Sequence, residues 1–186
     1  MRMLSRLREA TAQQHKDLEK ENLANKIMDH SIDIEEYKLL LFQNYLAYCK
    51  VEKELVKYLD SYEPVKTRKL KKDLMNLGIE DLDCEDFAEF YCKNEAEAMG
   101  AAYVVEGSAM GGMLIGKEIT ACENLRSVGE QNFFDGKRES IKNWNDYLKL
   151  LRSRDFTQDE IEAAAKKAVE TFELFGKAFS VSFSQY

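Results

Sequence analysis

Tyr103-Val-Val-Glu-Gly-Ser-Ala-Met-Gly-Gly-Met-Leu-Ile-Gly116 lies inside what otherwise has the pattern of a long helix. Five of the nine glycines fall at positions 100, 107, 111, 112 and 116. Each costs roughly 1 kcal/mol against alanine in a helix interior, and their sum rivals the net stability of many whole domains. A helix that keeps them needs its backbone to approach something closely, because glycine lacks the Cβ that would block contact. Two partners fit the residues equally well. One is a second helix, packed through the spacings Gly107–Gly111 and Gly112–Gly116. The other is a planar ligand laid on a surface free of side chains. Ser108 adds one small polar group, and no Asp, Glu or His occurs between Gly107 and Gly116.

Around this stretch, 186 residues with 45% apolar, 33% charged and a single proline predict one all-helical domain over 1–186. A net charge of −7 argues against a nucleic-acid partner, which would call for a basic face. The longest apolar run, Ala98 to Val105, is far short of the roughly 20 residues a membrane span needs, so no membrane partner is expected. Residues 1–8 carry charges at helical spacing and no apolar core of a secretory signal, which predicts a cytoplasmic location. Cys49, Cys84, Cys92 and Cys122 form no CxxC pair and read as scattered reduced thiols.

Leu4, Leu7, Thr11, His15 and Leu18 follow helical spacing and put His15 on the buried stripe of a first helix. Asp33-Ile-Glu-Glu36 has the form of a capping box for a second helix from Tyr37 to Leu59, ending before Pro64. A basic helix from Lys66 to Leu77 stops at Gly78, and Asp81 to Asp86 form an acidic connector. Phe87, Phe90, Tyr91 and Asn94 predict a helix that continues through the glycine-rich stretch to about Arg126. Gly129 and Phe133-Phe-Asp-Gly136 mark a loop. Ile141 to Leu151 form another helix, and Thr157-Gln-Asp-Glu160 caps the last, whose Phe172, Phe175 and Phe179 share a face. The expected product is a bundle of about seven helices.

His15 is one of two histidines, and an inward histidine is commonly a hydrogen-bonded core residue. Glu19, at i+4, can accept the second ring N–H, as the partner of a metal-bound histidine does. Arg8, two turns earlier on a similar face, is placed to meet an anionic ligand group. His30 has no such setting and reads as a surface residue.

Leu7-Arg-Glu-Ala-Thr-Ala-Gln-Gln-His15 with Glu19, together with Glu106-Gly-Ser-Ala-Met-Gly-Gly112, resembles the bacterial, biliverdin-producing branch of the heme oxygenase family. Leu150-Leu-Arg-Ser-Arg154 and the capped helix after it extend the likeness over nearly the whole chain. The resemblance implies an all-α bundle with a kinked distal helix, and heme as both cofactor and substrate. Heme is then opened with O2 and an electron donor such as a ferredoxin or a reductase, giving biliverdin, CO and iron. It implies His15 as the heme-iron ligand and Glu19 as its partner. It also implies Gly107, Ser108, Gly111 and Gly112 as the catalytic distal wall. Arg8, Tyr103 and Arg152 correspond to contacts of the heme propionates, and Phe172 to a pocket-lining aromatic. Ser108 stands where animal members have aspartate, and Leu148 where they have lysine, which leaves the in-plane orientation of heme open. Ordered water is then expected to supply the proton, since Ser108 is a weak acid. Two alternatives stay open: a carrier or sensor that binds heme without degrading it, and a heme-free helical protein whose glycines pack helices. A thiolate ligand from Cys92 or Cys122 is a remote third.

Overall fold

The computed structural model describes residues 2–20 and 22–183, so Met1, Glu21 and 184–186 of the expected domain lie outside the described residues. The described residues form α1 (Met3–Lys20), α2 (Ala24–Met28), α3 (Ile34–Tyr58), α4 (Val65–Asn76), α5 (Glu95–Gly107), α6 (Ala109–Ile119), α7 (Ser140–Ser153) and α8 (Gln158–Phe179). A short 3-10 turn covers Glu123–Leu125. The fold is all-helical among these residues, with seven helices if α5 and α6 count as one interrupted rod. α8 packs along α1 and α5, and α3 lies against α4, α5 and α8. The core joins Leu7 of α1, Leu40, Leu46 and Leu55 of α3, Ala98 and Val105 of α5, and Ala164 and Phe175 of α8.

Both capping boxes form: Asp33 caps α3 with Glu36 reciprocating, and Thr157 caps α8 with Glu160. Gly78 ends the α4 segment at φ +83°, a conformation that favours glycine. Two expectations about the glycine-bearing helix are corrected. It starts at Glu95 rather than near Phe87, because preceding amides bind carboxylates instead of helical carbonyls. Glu54 accepts from Cys92 N at 2.8 Å, Glu97 from Lys93 N at 2.9 Å, and Asn94 takes the cap. It ends at Ile119 rather than near Arg126, in a turn followed by the 3-10 segment. The five-residue α2 was not foreseen; it is too short to show a period.

Glu95–Ile119 has the length and composition of a membrane span, yet half of its most apolar window is buried inside the bundle. It is a core helix, broken at Ser108. Gly100 allows its contact with α8: a Cβ there would lie 2.0 Å from the Ala164 carbonyl oxygen.

The expectation of four reduced thiols is also corrected. Cys49 of α3 and Cys84 of the acidic connector are joined in a disulfide, with Cα atoms 6.4 Å apart. Their separation of 35 residues gave no signal in sequence. The connector is drawn across α3 by Tyr45, whose hydroxyl donates to Leu82 O at 3.1 Å, and by Lys50, whose Nζ donates to Glu85 O at 2.6 Å. Cys92 and Cys122 are free and buried, and burial pushes the Cys92 thiol up to about 12. Alkylation in denaturant is expected to modify two cysteines without reductant and four after reduction, read by intact mass. Four modified cysteines without reductant would overturn the pairing, and removing a cross-link over a loop of this size costs about 3–4 kcal/mol of stability.

Asp73 of α4 fixes the loop before α7. Its buried carboxylate accepts from the backbone N–H of Asn132 at 2.9 Å and of Phe133 at 2.8 Å, and from Asn132 Nδ2 at 2.6 Å. Tyr37 of α3 donates to the Gln131 side chain beside it.

Candidate functional site

All eight helices, with the loop that Asp73 holds, contribute to the lining of a cavity of about 770 Å³. That volume lies in the range of sites for extended organic ligands. Much of its wall is apolar or aromatic, including Tyr103, Phe133, Phe134, Trp144, Phe172 and Phe175.

His15 opens into the cavity rather than packing into the core, which corrects its expected burial. Its side chain is 61% exposed. The stripe of α1 is buried at Leu7 and Thr11, but one turn later the helix faces the cavity instead of side chains. Its Nδ1 lies 3.3 Å from Glu19 Oε1, and its ring meets the edge of Phe172 with centroids 5.9 Å apart. A carboxylate beside Nδ1 favours the tautomer with its proton there, which leaves the Nε2 lone pair free for an external electrophile.

The glycines divide into two groups. Gly100 and Gly116 are packing residues; a Cβ on Gly116 would lie 2.4 Å from Gly136 N. Gly107, Gly111 and Gly112 line the cavity. A Cβ on Gly111 or Gly112 would meet nothing within 4 Å, and one on Gly107 would make only an ordinary contact with Trp144 at 3.7 Å. Their missing side chains therefore leave space in the cavity, not room for a neighbouring helix. Close packing thus accounts for Gly100, against α8, and for Gly116, against the 134–136 loop, and the spacings Gly107–Gly111 and Gly112–Gly116 do not mark a helix–helix contact.

Ser108 joins α5 to α6. Its Oγ donates to Val105 O at 2.7 Å and accepts from the Tyr48 hydroxyl at 2.7 Å. Its proton is thus committed to the helix backbone. Burial pushes the Tyr48 phenol well above its ordinary range, keeping it a neutral donor. Tyr103 packs on Trp144 with centroids 5.8 Å apart, and Trp144 stacks on Tyr147, whose hydroxyl donates to Met99 O at 2.6 Å. That chain of rings fixes the wall between α5 and α7.

Arg8 and Arg152 are exposed and lie outside the cavity lining. The lysines that do line it are Lys66 and Lys69 of α4, which the sequence showed only as members of a basic helix. Their spacing of three residues was the available signal, since it puts both on one face. Each is paired: Lys66 Nζ with Glu106 Oε1 at 3.0 Å, and Lys69 Nζ with Asp135 Oδ2 at 2.9 Å. Glu52, buried with its carboxyl pushed up by desolvation, accepts from Thr67 N at 2.7 Å and from Tyr62 OH at 3.0 Å. It thereby holds the start of α4 behind the cavity.

The heme oxygenase family model matches residues 1–181. The chain belongs to the heme oxygenase family. A curated relative, heme oxygenase PigA of Pseudomonas aeruginosa, is 27% identical over 89 residues, which is 48% of this chain and 45% of that protein. The match thus spans under half of the relative's length. A crystal structure of the Neisseria meningitidis heme oxygenase, reported in NO- and CO-bound forms, superposes with a TM-score of 0.70 at 21% identity, covering 98% of this chain and 94% of that one. This likeness shows the fold. In this member of the heme oxygenase family, the two segments that carried the resemblance line one cavity: 7–19 contributes His15 and Glu19, and 106–112 contributes Gly107, Ser108, Gly111 and Gly112. Tyr103 and Phe172 join them there.

Proposed function

We propose that the chain binds heme through His15 and opens it oxidatively to biliverdin, CO and iron. The supporting observation is that a histidine with a carboxylate on its Nδ1 shares a cavity with a wall of glycines whose Cβ positions are empty. Among the described residues no group of three or more His, Cys, Asp or Glu is arranged to hold a metal. A single histidine would hold a metal that arrives with its own ligands, as heme iron does. Heme, when bound, supplies an iron that activates O2 and the ring that is oxidised, with electrons from a ferredoxin or a reductase.

Each of the chain's own residues then has a defined task. Glu19 holds the imidazole by its Nδ1–H and raises the basicity of Nε2. Gly107, Gly111 and Gly112, with no Cβ to intervene, would let a macrocycle approach their backbone closely. Ser108 keeps its proton on Val105 O, so protons come from water held at the serine's remaining lone pair and at backbone oxygens. Tyr103, inside the cavity, and Arg8 and Arg152, on the surface, would be the groups to hold the propionates. Phe172 flanks the histidine. The whole acts as one domain in the cytoplasm, where burial of Cys49 and Cys84 shields their bond from reductant.

Hemin added to the purified chain is expected to give a histidine-ligated Soret band. Ascorbate or a ferredoxin system in air should then bleach that band as biliverdin absorption grows in the red. A second role, heme carriage without turnover, is favoured by the committed Ser108 proton; a persistent oxy-heme spectrum would establish it and overturn the oxygenase.

A further inference from the structure

His30 follows α2 and Glu118 lies near the end of α6, and their side chains meet, Nε2 to Oε2, at 2.7 Å. Both helices are walls of the cavity. α2 contributes Asn25 and Met28, and α6 contributes Gly111 through Ile115. Met28 and Leu114 are 47% and 53% exposed, so apolar side chains form the rim there. Glu118 is one helical turn beyond Leu114 and His30 two residues beyond Met28, so the ion pair spans the two walls beside the rim. α2 is also tied to the histidine-bearing helix, because Asn25 Nδ2 donates to Glu19 O at 2.8 Å.

The backbone at His30 has φ +60°, a left-handed conformation that a side-chain-bearing residue adopts at a cost. The strained turn delivers the imidazole to α6. The bonds from Cys122 Sγ to Ile27 O at 3.5 Å and from Asn124 Nδ2 to Ile32 O at 3.1 Å come from residues after α6 and end on backbone. They tie the α2 region to the segment after α6 through its backbone, whereas His30–Glu118 is a side-chain link between exposed groups and can open without unfolding.

We propose that His30 and Glu118 form a clasp between the α2 and α6 walls that sets how fast a planar ligand enters and leaves the cavity. This rests on heme binding as proposed above. Both residues are positioning residues, since neither lines the cavity.

The test uses the full chain with ferric hemin and no reductant, and measures hemin transfer to excess apomyoglobin. His30→Ala and Glu118→Ala are each expected to speed transfer about threefold to fivefold, the range for an exposed ion pair. The double variant should be no faster than either single, because one link is lost in all three. His30→Gln, which keeps a donor for Glu118 and the same backbone strain, should stay close to wild type. Additive effects, or unchanged transfer, would overturn the clasp. Amide hydrogen exchange on the apoprotein gives a readout free of heme: faster exchange over 24–32 and 113–119 in both alanine variants supports the clasp, and unchanged exchange rejects it. If wild-type protein takes up no hemin, heme binding fails as a proposal and the exchange result alone decides the clasp.

Discussion

Replacing His15 with alanine is expected to abolish the histidine-ligated hemin spectrum and biliverdin formation while leaving thermal stability nearly unchanged. The separation follows from its setting: the side chain is 61% exposed, beside Glu19, and meets the core through the edge of Phe172. Truncating such a side chain opens no buried void, so the change in stability stays within about 0.5 kcal/mol. Free imidazole should restore the spectrum, because the space vacated is already open to solvent. Glu19→Ala should act in the same direction but less completely, weakening affinity about 10- to 100-fold, as expected for the partner of a ligating histidine. Hemin titration beside thermal denaturation separates the cases. A His15→Ala protein with an unaltered hemin spectrum would remove the histidine from the site.

The cavity glycines and the packing glycines should respond with opposite signs. Gly111→Ala and Gly112→Ala place a methyl where nothing lies within 4 Å, and each relieves the helix-interior penalty of glycine. The apoprotein should gain about 0.5–1 kcal/mol from each. Enlarging Gly111 to leucine should keep the fold and lose hemin binding, because the side chain occupies the cavity. Gly100→Ala and Gly116→Ala should do the reverse. Their methyls fall 2.0 Å from Ala164 O and 2.4 Å from Gly136 N, so backbone must move. Overpacking of this kind costs about 1–3 kcal/mol and upwards. Paired melting curves and hemin titrations of the four positions provide the check, and a Gly111→Leu protein that binds hemin as wild type would sink the ligand-facing assignment.

The capped and strongly periodic helices were legible in sequence, since Asp33, Thr157 and Gly78 act through local chemistry that the chain order already states. The start of α5 was not, because the carboxylates that draw off the amides of Cys92 and Lys93 include Glu54, on another helix. The Cys49–Cys84 bond escaped for the same reason: it exists only once the connector crosses α3. At the site, His15, Glu19, Gly107, Ser108, Gly111 and Gly112, with Tyr103 and Phe172, were legible as candidates and do line one cavity. Arg8 and Arg152 do not, as helix spacing alone could not tell which cations the bundle turns outward. Lys66 and Lys69 were hidden because a basic helix in water and a basic helix against a cavity have the same composition. His30 was read as a surface residue and is one, but its partner on α6 is 88 residues away.

Asp73 holds the loop before α7 chiefly by its amides: two of its three partners are backbone N–H groups, of Asn132 and Phe133. An anchor that grips main chain is indifferent to the side chains it presents. Phe133 and Phe134, which this loop contributes to the cavity, can therefore be exchanged while their Cα positions hold. The cavity thus has one wall whose side chains are carried by a loop and not by a helix, although that loop's backbone is fixed both by Asp73 and by its contact with Gly116 of α6. A change of ligand shape would be accommodated there first.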